Sequence, residues 1–267
     1  MRADAALVQQ GLARSRAVAK ELIDAGRVTA GGTAVTKASA AVEPADLAVS
    51  GQVHAWVGRA AYKLLGALEA FPIEPAGRRC LDVGASTGGF TQVLLDRGAD
   101  QIVALDVGHD QLASAIRDDP RVVERSGTNV RDADVEELGG PFDLVVADLS
   151  FISLGLVLDK LAALTAPGGD LVTLIKPQFE VGRERLARTG VVTSPHERQR
   201  ALRGVLGVVL DVGLHVHGLV PSPIEGGTGN HEYLLSARHE AKGSMSGMDV
   251  QRVLEELLNA EKGSRRV

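Results

Sequence analysis

Cysteine is almost missing from this chain: Cys80 is the one thiol in 267 residues. That excludes an internal disulfide and fits a reducing cytosol. Within the apolar run at 79–83, Cys80 reads as an inert core thiol. Aromatic residues are also scarce, at 3%, so the 45% hydrophobic content must pack through Ala, Val, Leu and Gly. No apolar run approaches the roughly 18–20 residues that span a bilayer. No charged–apolar–small leader precedes the first helical segment, so a cytoplasmic protein without membrane contact is expected. No His/Cys cluster has ligand spacing, so no metal is expected. Excess positive charge is lacking too, with a net charge of −5. The balance is uneven, however. Residues 1–63 carry eight Lys/Arg against five Asp/Glu, and the remainder 21 against 29. Polyanion contact depends on the local patch rather than the total, so an RNA partner is permitted.

Residues 1–50 have a pattern of their own. Helices are expected over 4–10 and 15–25, the second with Ser15 as N-cap and Gly26 at its stop. Val28–Ala30, Gly31-Gly32 and Thr33–Val35 read as a hairpin with a two-residue turn. Val42 and Leu47–Val49 add a further strand. Arg16 and Lys20 fall four apart on one helix face, with Arg14, Arg27 and Lys37 nearby in sequence. Such a cluster is either a solvated face or a phosphate-binding surface. A linker over 51–59 contains the lone tryptophan, Trp56.

From residue 60 onward strands and helices alternate. Strands are expected at 79–83, 102–106, 122–124, 144–147 and 170–175, and helices at 90–97, 111–117, 154–164 and 195–212. This implies a doubly wound, mostly parallel α/β sheet. Strands at 216–220 and 233–237 close it as an antiparallel hairpin, giving seven in all. The second domain thus runs over 60–240, and 241–267 is expected to be a loose tail with a marginal helix at 248–259.

The first strand ends in Asp82-Val83-Gly84-Ala85-Ser86-Thr87-Gly88-Gly89-Phe90. A carboxylate and bare backbone N–H groups at the carboxyl end of a parallel strand mark a ligand site. The spacing D-x-G-x-x-x-G is not the pyrophosphate fingerprint, and the loop lacks a P-loop lysine. It suits S-adenosylmethionine, whose amino-acid end carries both an ammonium and a carboxylate. Asp106, at the end of the second strand, can accept hydrogen bonds from both ribose hydroxyls of a nucleoside, as it could for NAD. Asn129-Val130 can flank an adenine edge, or form a plain turn. Asp148 closes the fourth strand beside the glycine loop. In Asp148-Leu149-Ser150-Phe151 it faintly echoes enzymes that methylate exocyclic base nitrogens, but without their prolines. Lys176 ends the fifth strand, where a buried amine is costly unless paired or functional. Glu232 opens the last strand, and Lys63 lies on the entering helix. All four charges are expected at one edge of the sheet.

The order Lys63, Asp148, Lys176, Glu232 resembles the catalytic tetrad of FtsJ-like ribose 2′-O-methyltransferases. Residues 2–50 resemble a small RNA-binding domain shared by a small-subunit ribosomal protein and many pseudouridine synthases. Together, with Arg59-Ala60-Ala61-Tyr62-Lys63-Leu64, Leu174-Ile175-Lys176-Pro177-Gln178-Phe179-Glu180 and Gly229-Asn230-His231-Glu232, the chain resembles the TlyA family. That resemblance implies S-adenosylmethionine-dependent 2′-O-methylation of cytidine in rRNA of the small and/or large ribosomal subunit; the sequence leaves the oligomeric state open, with a monomer favoured. It implies a cofactor site of Asp82, Gly84–Phe90, Asp106, Asn129, Val130 and Asp148, and an RNA contact that includes Arg59. One departure is His54, where the family linker often has arginine.

A ribose hydroxyl loses its proton only to a well-placed base. A lysine can serve where neighbouring cations and burial favour its neutral amine. Lys176 is the expected base, Lys63 orients the hydroxyl, Asp148 holds Lys176, and Glu232 positions Lys63 or the nucleotide. His231 is expected to be structural or to touch RNA. Rival readings are a base N-methyltransferase, a membrane-active cytolysin, and a ribosome-binding protein with a dead cofactor site.

Overall fold

The computed structural model describes residues 1–13, 16–50 and 56–263. Arg14, Ser15, most of the expected linker including His54, and residues 264–267 lie outside that set. The chain divides into two units, Met1–Trp56 and Val57–Val267.

The first unit holds α1 (Ala3–Gln9), α2 (Arg16–Asp24), β1 (Val28–Ala30), β2 (Thr33–Ala34) and β3 (Leu47–Val49). Its sheet order is β2-β1-β3, with antiparallel pairing. Gly31 and Gly32 both have positive φ, +54° and +79°. A two-residue hairpin turn that matches strand twist demands that conformation, and glycine adopts it without strain. Ala3, Leu7, Ala19, Ile23 and Val28 form a small buried cluster. Val42 joins no strand; its N–H bonds the Met1 carbonyl at 2.8 Å, next to an isolated bridge between Arg2 and Ala41.

The second unit begins with α3 (Ala61–Ala70). Then come β4 (Arg79–Val83), α4 (Gly89–Asp96), β5 (Gln101–Asp106), α5 (Ser114–Arg117), β6 (Val122–Ser126) and β7 (Phe142–Ala147). The remaining elements are α6 (Leu158–Leu164), β8 (Thr165–Ile175), α7 (Pro177–Glu180), α8 (Pro195–Asp211), β9 (His215–Pro221), β10 (Tyr233–Arg238) and α9 (Gly247–Gly263). The sheet order is β6-β5-β4-β7-β8-β10-β9. β4 to β8 run parallel, and β10 is antiparallel to both of its neighbours. Fully buried Leu81, Phe142, Val145, Leu158 and Leu171 fill the core, each large aliphatic contributing about 1.5–3 kcal/mol on burial. Ser194 caps α8, its Oγ accepting from the Glu197 N–H at 3.3 Å with Pro195 at the first helical position. Such a cap stabilises by about 1 kcal/mol.

Three expectations are corrected. The helix expected over 111–117 starts only at Ser114; Asp110 has φ +54°, and the Gln111 side chain accepts from Ser86 Oγ instead of starting a helix. The helix expected over 154–164 is broken: a 3₁₀ turn at Leu154–Leu156 precedes α6, and Val157 sits at φ −130°. Within the tail expected to be loose with a marginal helix at 248–259, α9 is a docked helix. Val250, Val253, Leu254 and Leu257 recur at helical spacing and pack on the core, with Leu254 only 1% exposed.

Candidate active site

Connections lead from β4 to β5 and β6 on one side and to β7 and β8 on the other. The switch point lies at the carboxyl ends of β4 and β7, where open α/β sheets take their ligands. Val83 pairs with Ala147 in register, so the next residues, Gly84 and Asp148, stand face to face. Gly84 has φ +86°, and a Cβ there would lie 2.8 Å from the Asp148 carbonyl. Only glycine fits this approach.

Two adjoining cavities open at this point, of about 680 Å³ and 500 Å³. Gly84, Ser86 and Asp148 line both. The larger also receives Ala85, Thr87, Gly89, Phe90, Lys63, Lys176, Glu232 and Arg59. The smaller receives Asp106, Asn129 and Val130. Asp106 Oδ2 accepts from the Ser86 N–H at 2.8 Å and Oδ1 from the Gly108 N–H at 2.7 Å. Each oxygen keeps a lone pair for a ligand hydroxyl. Asn129 Oδ1 accepts from the Arg131 N–H at 3.1 Å, shaping the turn.

Asp82 and Gly88 line neither cavity. Asp82 is fully buried beneath the loop, where Oδ2 accepts from Thr91 Oγ1 of α4 at 2.6 Å. Burial pushes its carboxyl up to about 7, against the pull of the Thr91 hydrogen bonds. Asp82 therefore ties the strand to the helix through Oδ2 and opens onto neither cavity. Gly88, at φ +93°, is the residue from which α4 starts.

The four charges meet. Lys63 lies on the buried face of α3 with Leu64 and Ala67. Its Nζ is 2.7 Å from Glu232 Oε2 and 3.2 Å from Asp148 Oδ2. Lys176 Nζ is 2.6 Å from Asp148 Oδ1 and donates to Ser150 Oγ at 2.8 Å. Glu232 arrives because Tyr233 pairs with Ile175, which sets the residues just beyond the strand ends side by side. Burial pushes the Asp148 carboxyl up, but the Lys176 and Lys63 ammoniums outweigh it and hold it below the ordinary carboxylate range. His231 lines neither cavity and stands 4.0 Å from Glu225.

The structure adds residues that sequence reasoning did not single out. Gln178 lines the larger cavity and donates to Glu232 Oε1 at 3.3 Å. Phe151 lines both cavities, is 93% exposed, has φ +65°, and lies 5.4 Å from the Phe179 ring. Both sit within quoted motifs, and an unburied phenylalanine is the signal, but exposure is not written in sequence. Cys80 is fully buried, and burial pushes its thiol up to about 12.

In the first unit, the expected RNA-contacting side chains are largely engaged locally. Arg16 pairs with Asp4 at 2.8 Å and Lys20 with Asp24 at 2.5 Å. Arg27 Nε donates to the Ser50 carbonyl at 3.0 Å, and Lys37 is exposed. In the second unit, exposed Arg59 donates to the Glu225 carbonyl. An exposed ion pair such as Lys20–Asp24 contributes little to stability and can be exchanged for phosphate, whereas the Asp4 partner of Arg16 is buried.

The family model described as FtsJ-like methyltransferase matches residues 56–239, and that of the S4 domain matches residues 1–47. The chain is 50% identical, over 94% of both chains, to the 16S/23S rRNA (cytidine-2′-O)-methyltransferase TlyA of Mycobacterium tuberculosis strain H37Rv. It is 36% identical to Hemolysin A of Brachyspira hyodysenteriae, over 88% of this chain and 98% of that one. A solved structure from Streptococcus thermophilus, described as a hemolysin, matches with a TM-score of 0.75 at 33% identity, covering 100% of this chain and 98% of that one.

Proposed function

Because the chain belongs to the FtsJ-like methyltransferases, in the TlyA family that joins such a domain to an S4 domain, we propose that it methylates the ribose 2′-hydroxyl of cytidine in ribosomal RNA, as a cytoplasmic monomer. It is an enzyme of S-adenosylmethionine-dependent type. The observation that carries the reading is the convergence of Lys63, Asp148, Lys176 and Glu232 on one cavity.

The site suits the methyl donor. The close approach at Gly84 leaves bare backbone at the cavity junction, and the Asp106 carboxylate lines the smaller cavity at the strand end where dinucleotide folds bind ribose hydroxyls. Gly84, Ser86, Thr87 and Asp148 would hold the amino-acid end, and Asp106, Asn129 and Val130 the nucleoside. S-adenosylmethionine, when bound, supplies an electrophilic methyl group on a sulfonium.

Lys176 rests as an ammonium paired with Asp148; once that proton has left to solvent, the neutral amine takes the proton of the ribose hydroxyl as the oxygen gains the methyl group. Asp148, ionised at neutral pH, fixes Lys176 through Oδ1 and Lys63 through Oδ2. Lys63 orients the hydroxyl oxygen, and Glu232 fixes Lys63. The S4 domain of residues 1–47 supplies RNA affinity, through Arg14, Arg16, Lys20, Arg27 and Lys37, with Arg59 at the catalytic cavity. The domain boundaries we assign are 1–50 and 60–263, the second extended beyond 240 to take in the docked helix α9.

The test is mass-spectrometric mapping of ribose methylation on unmodified ribosomal subunits. Wild type is expected to add methyl groups to cytidine 2′-oxygens, and Lys176→Ala to lose about 10²–10⁴-fold in rate, the usual worth of a general base. Substantial activity in Lys176→Ala, or methyl groups on base nitrogens, would overturn the reading. Leakage of liposomes would favour the cytolysin reading; no helix among the described residues is long and apolar enough to cross a membrane.

A further inference from the structure

Glu180 is a half-buried acid with no role in the mechanism above. It ends α7, four residues after Lys176, and lines neither cavity. Both of its oxygens are spent on the opposite loop. Oε2 accepts from Ser153 Oγ at 2.6 Å, and Oε1 accepts from the Leu154 N–H at 2.8 Å. Ser153 stands at the N-cap position of the 3₁₀ turn yet makes no cap bond of its own. Glu180 supplies the missing acceptor from outside the turn. Glu180 is half-buried, and burial pushes its carboxyl up against the pull of the two donors.

The loop it grips needs holding. Residues 148–153 carry Asp148, Ser150 and Phe151, and Phe151 occupies the left-handed region at φ +65°. Such a residue costs on the order of 1–3 kcal/mol and persists only where its surroundings over-determine it. Three contacts already join this loop to the segment after β8: Lys176 to Asp148, Lys176 to Ser150, and Phe151 to Phe179. All three involve residues 148–151. The Glu180 contacts add polar anchors at Ser153 and Leu154, where the Leu154 side chain also packs into the core.

Resting on the function proposed above, we propose that Glu180 is a positioning residue: it clamps the loop after β7 to the turn after β8, and so sets the placement of Asp148 and Ser150 against Lys176. It acts through those groups and touches no reacting atom. A displacement of about 1 Å at a catalytic group can cost about 10²-fold in rate, so the clamp is expected to show in turnover rather than in RNA affinity.

The experiment measures kcat and KM for unmodified subunits with full-length enzyme, scoring tritiated methyl transferred to RNA whichever atom receives it. Glu180→Ala is expected to lower kcat by about 10–100-fold with KM for RNA within about threefold of wild type. Glu180→Gln keeps an acceptor for Leu154 and a polar partner for Ser153, and is expected to stay within about fivefold of wild-type kcat. Should Glu180→Ala fail to fold, Ser153→Ala breaks the clamp from the other side; a kcat loss of about threefold or more at unchanged melting temperature supports the clamp. The inference is overturned if Glu180→Ala turns over within twofold of wild type, if Glu180→Gln is no better than Glu180→Ala, or if Ser153→Ala leaves kcat unchanged. Base-methylated product from wild type would instead sink the ribose reading, a separate outcome on the same samples.

Discussion

Asp148→Asn is the sharpest perturbation of the site. The cluster holds two ammoniums and two carboxylates, so its formal charge is zero. The Lys63 and Lys176 side chains are only 8% and 7% exposed. Asparagine at 148 is close in shape but leaves the cluster with one unbalanced positive charge. Lys63 keeps Glu232 at 2.7 Å, while Lys176 keeps only the Ser150 hydroxyl. Breaking a buried pair by removing one partner costs about 3–5 kcal/mol, and two unit charges about 4 Å apart at an effective dielectric of about 20 interact by about 4 kcal/mol. The two routes agree. For a domain of this size about 1 kcal/mol moves the melting temperature by about 2–4 °C, so Asp148→Asn should melt about 6–20 °C below wild type at pH 7. Calorimetry measures this directly. Lys176→Met in the same background restores neutrality, and the double variant should be more stable than the sum of the single losses by about 1–3 kcal/mol. The pH dependence has a fixed sign. The Asp148 carboxyl is held low in the fold, so its stabilisation is fully present above the unfolded value of about 3.9 and disappears as pH falls through the folded value. The gap between wild type and Asp148→Asn should therefore close in strong acid. A variant melting within 1 °C of wild type, or strictly additive single losses, would refute the charge argument.

Two further outcomes follow from the glycine loop. Gly84→Ala forces a Cβ to within 2.8 Å of the Asp148 carbonyl at φ +86°; it should destabilise by about 1–3 kcal/mol and weaken S-adenosylhomocysteine binding at least tenfold by calorimetry, and unchanged affinity would show that the cradle is not there. Asp82, raised to about 7 by burial, holds a proton in the fold that the unfolded chain releases above about pH 4. Wild-type stability should thus fall between pH 5 and pH 8 relative to Asp82→Asn, whereas parallel denaturation curves at the two pH values would contradict that assignment.

Much of the architecture was legible because β4, β5, β7 and β8 are apolar runs ended by Gly, Asp or Lys. Periodicity could not report Gln111 turning away from a helix, because that depends on a partner, Ser86, twenty-five residues earlier. Nor could it show that α9 docks: the Val250–Leu257 stripe is visible, but the surface that receives it is tertiary. In the site, the residue types and their order named all four members of the charge cluster. The sequence did not reveal that Asp148 is bridged by both lysines, or that Asp82 lies under the loop rather than in it. Spacing says which strand a side chain leaves from; its partners are set by neighbours far along the chain.

β10 has a consequence for incomplete chains. It fills the place between β8 and β9, yet it is made of residues 233–238, so everything before it is synthesised while the inner border of β8 stands open. A polypeptide cut short near residue 230, by a stop codon or a protease, would lose Glu232 and would also present the Leu171–Ile175 segment as an unpaired apolar template. Such fragments should be found in aggregates rather than as inactive soluble enzyme.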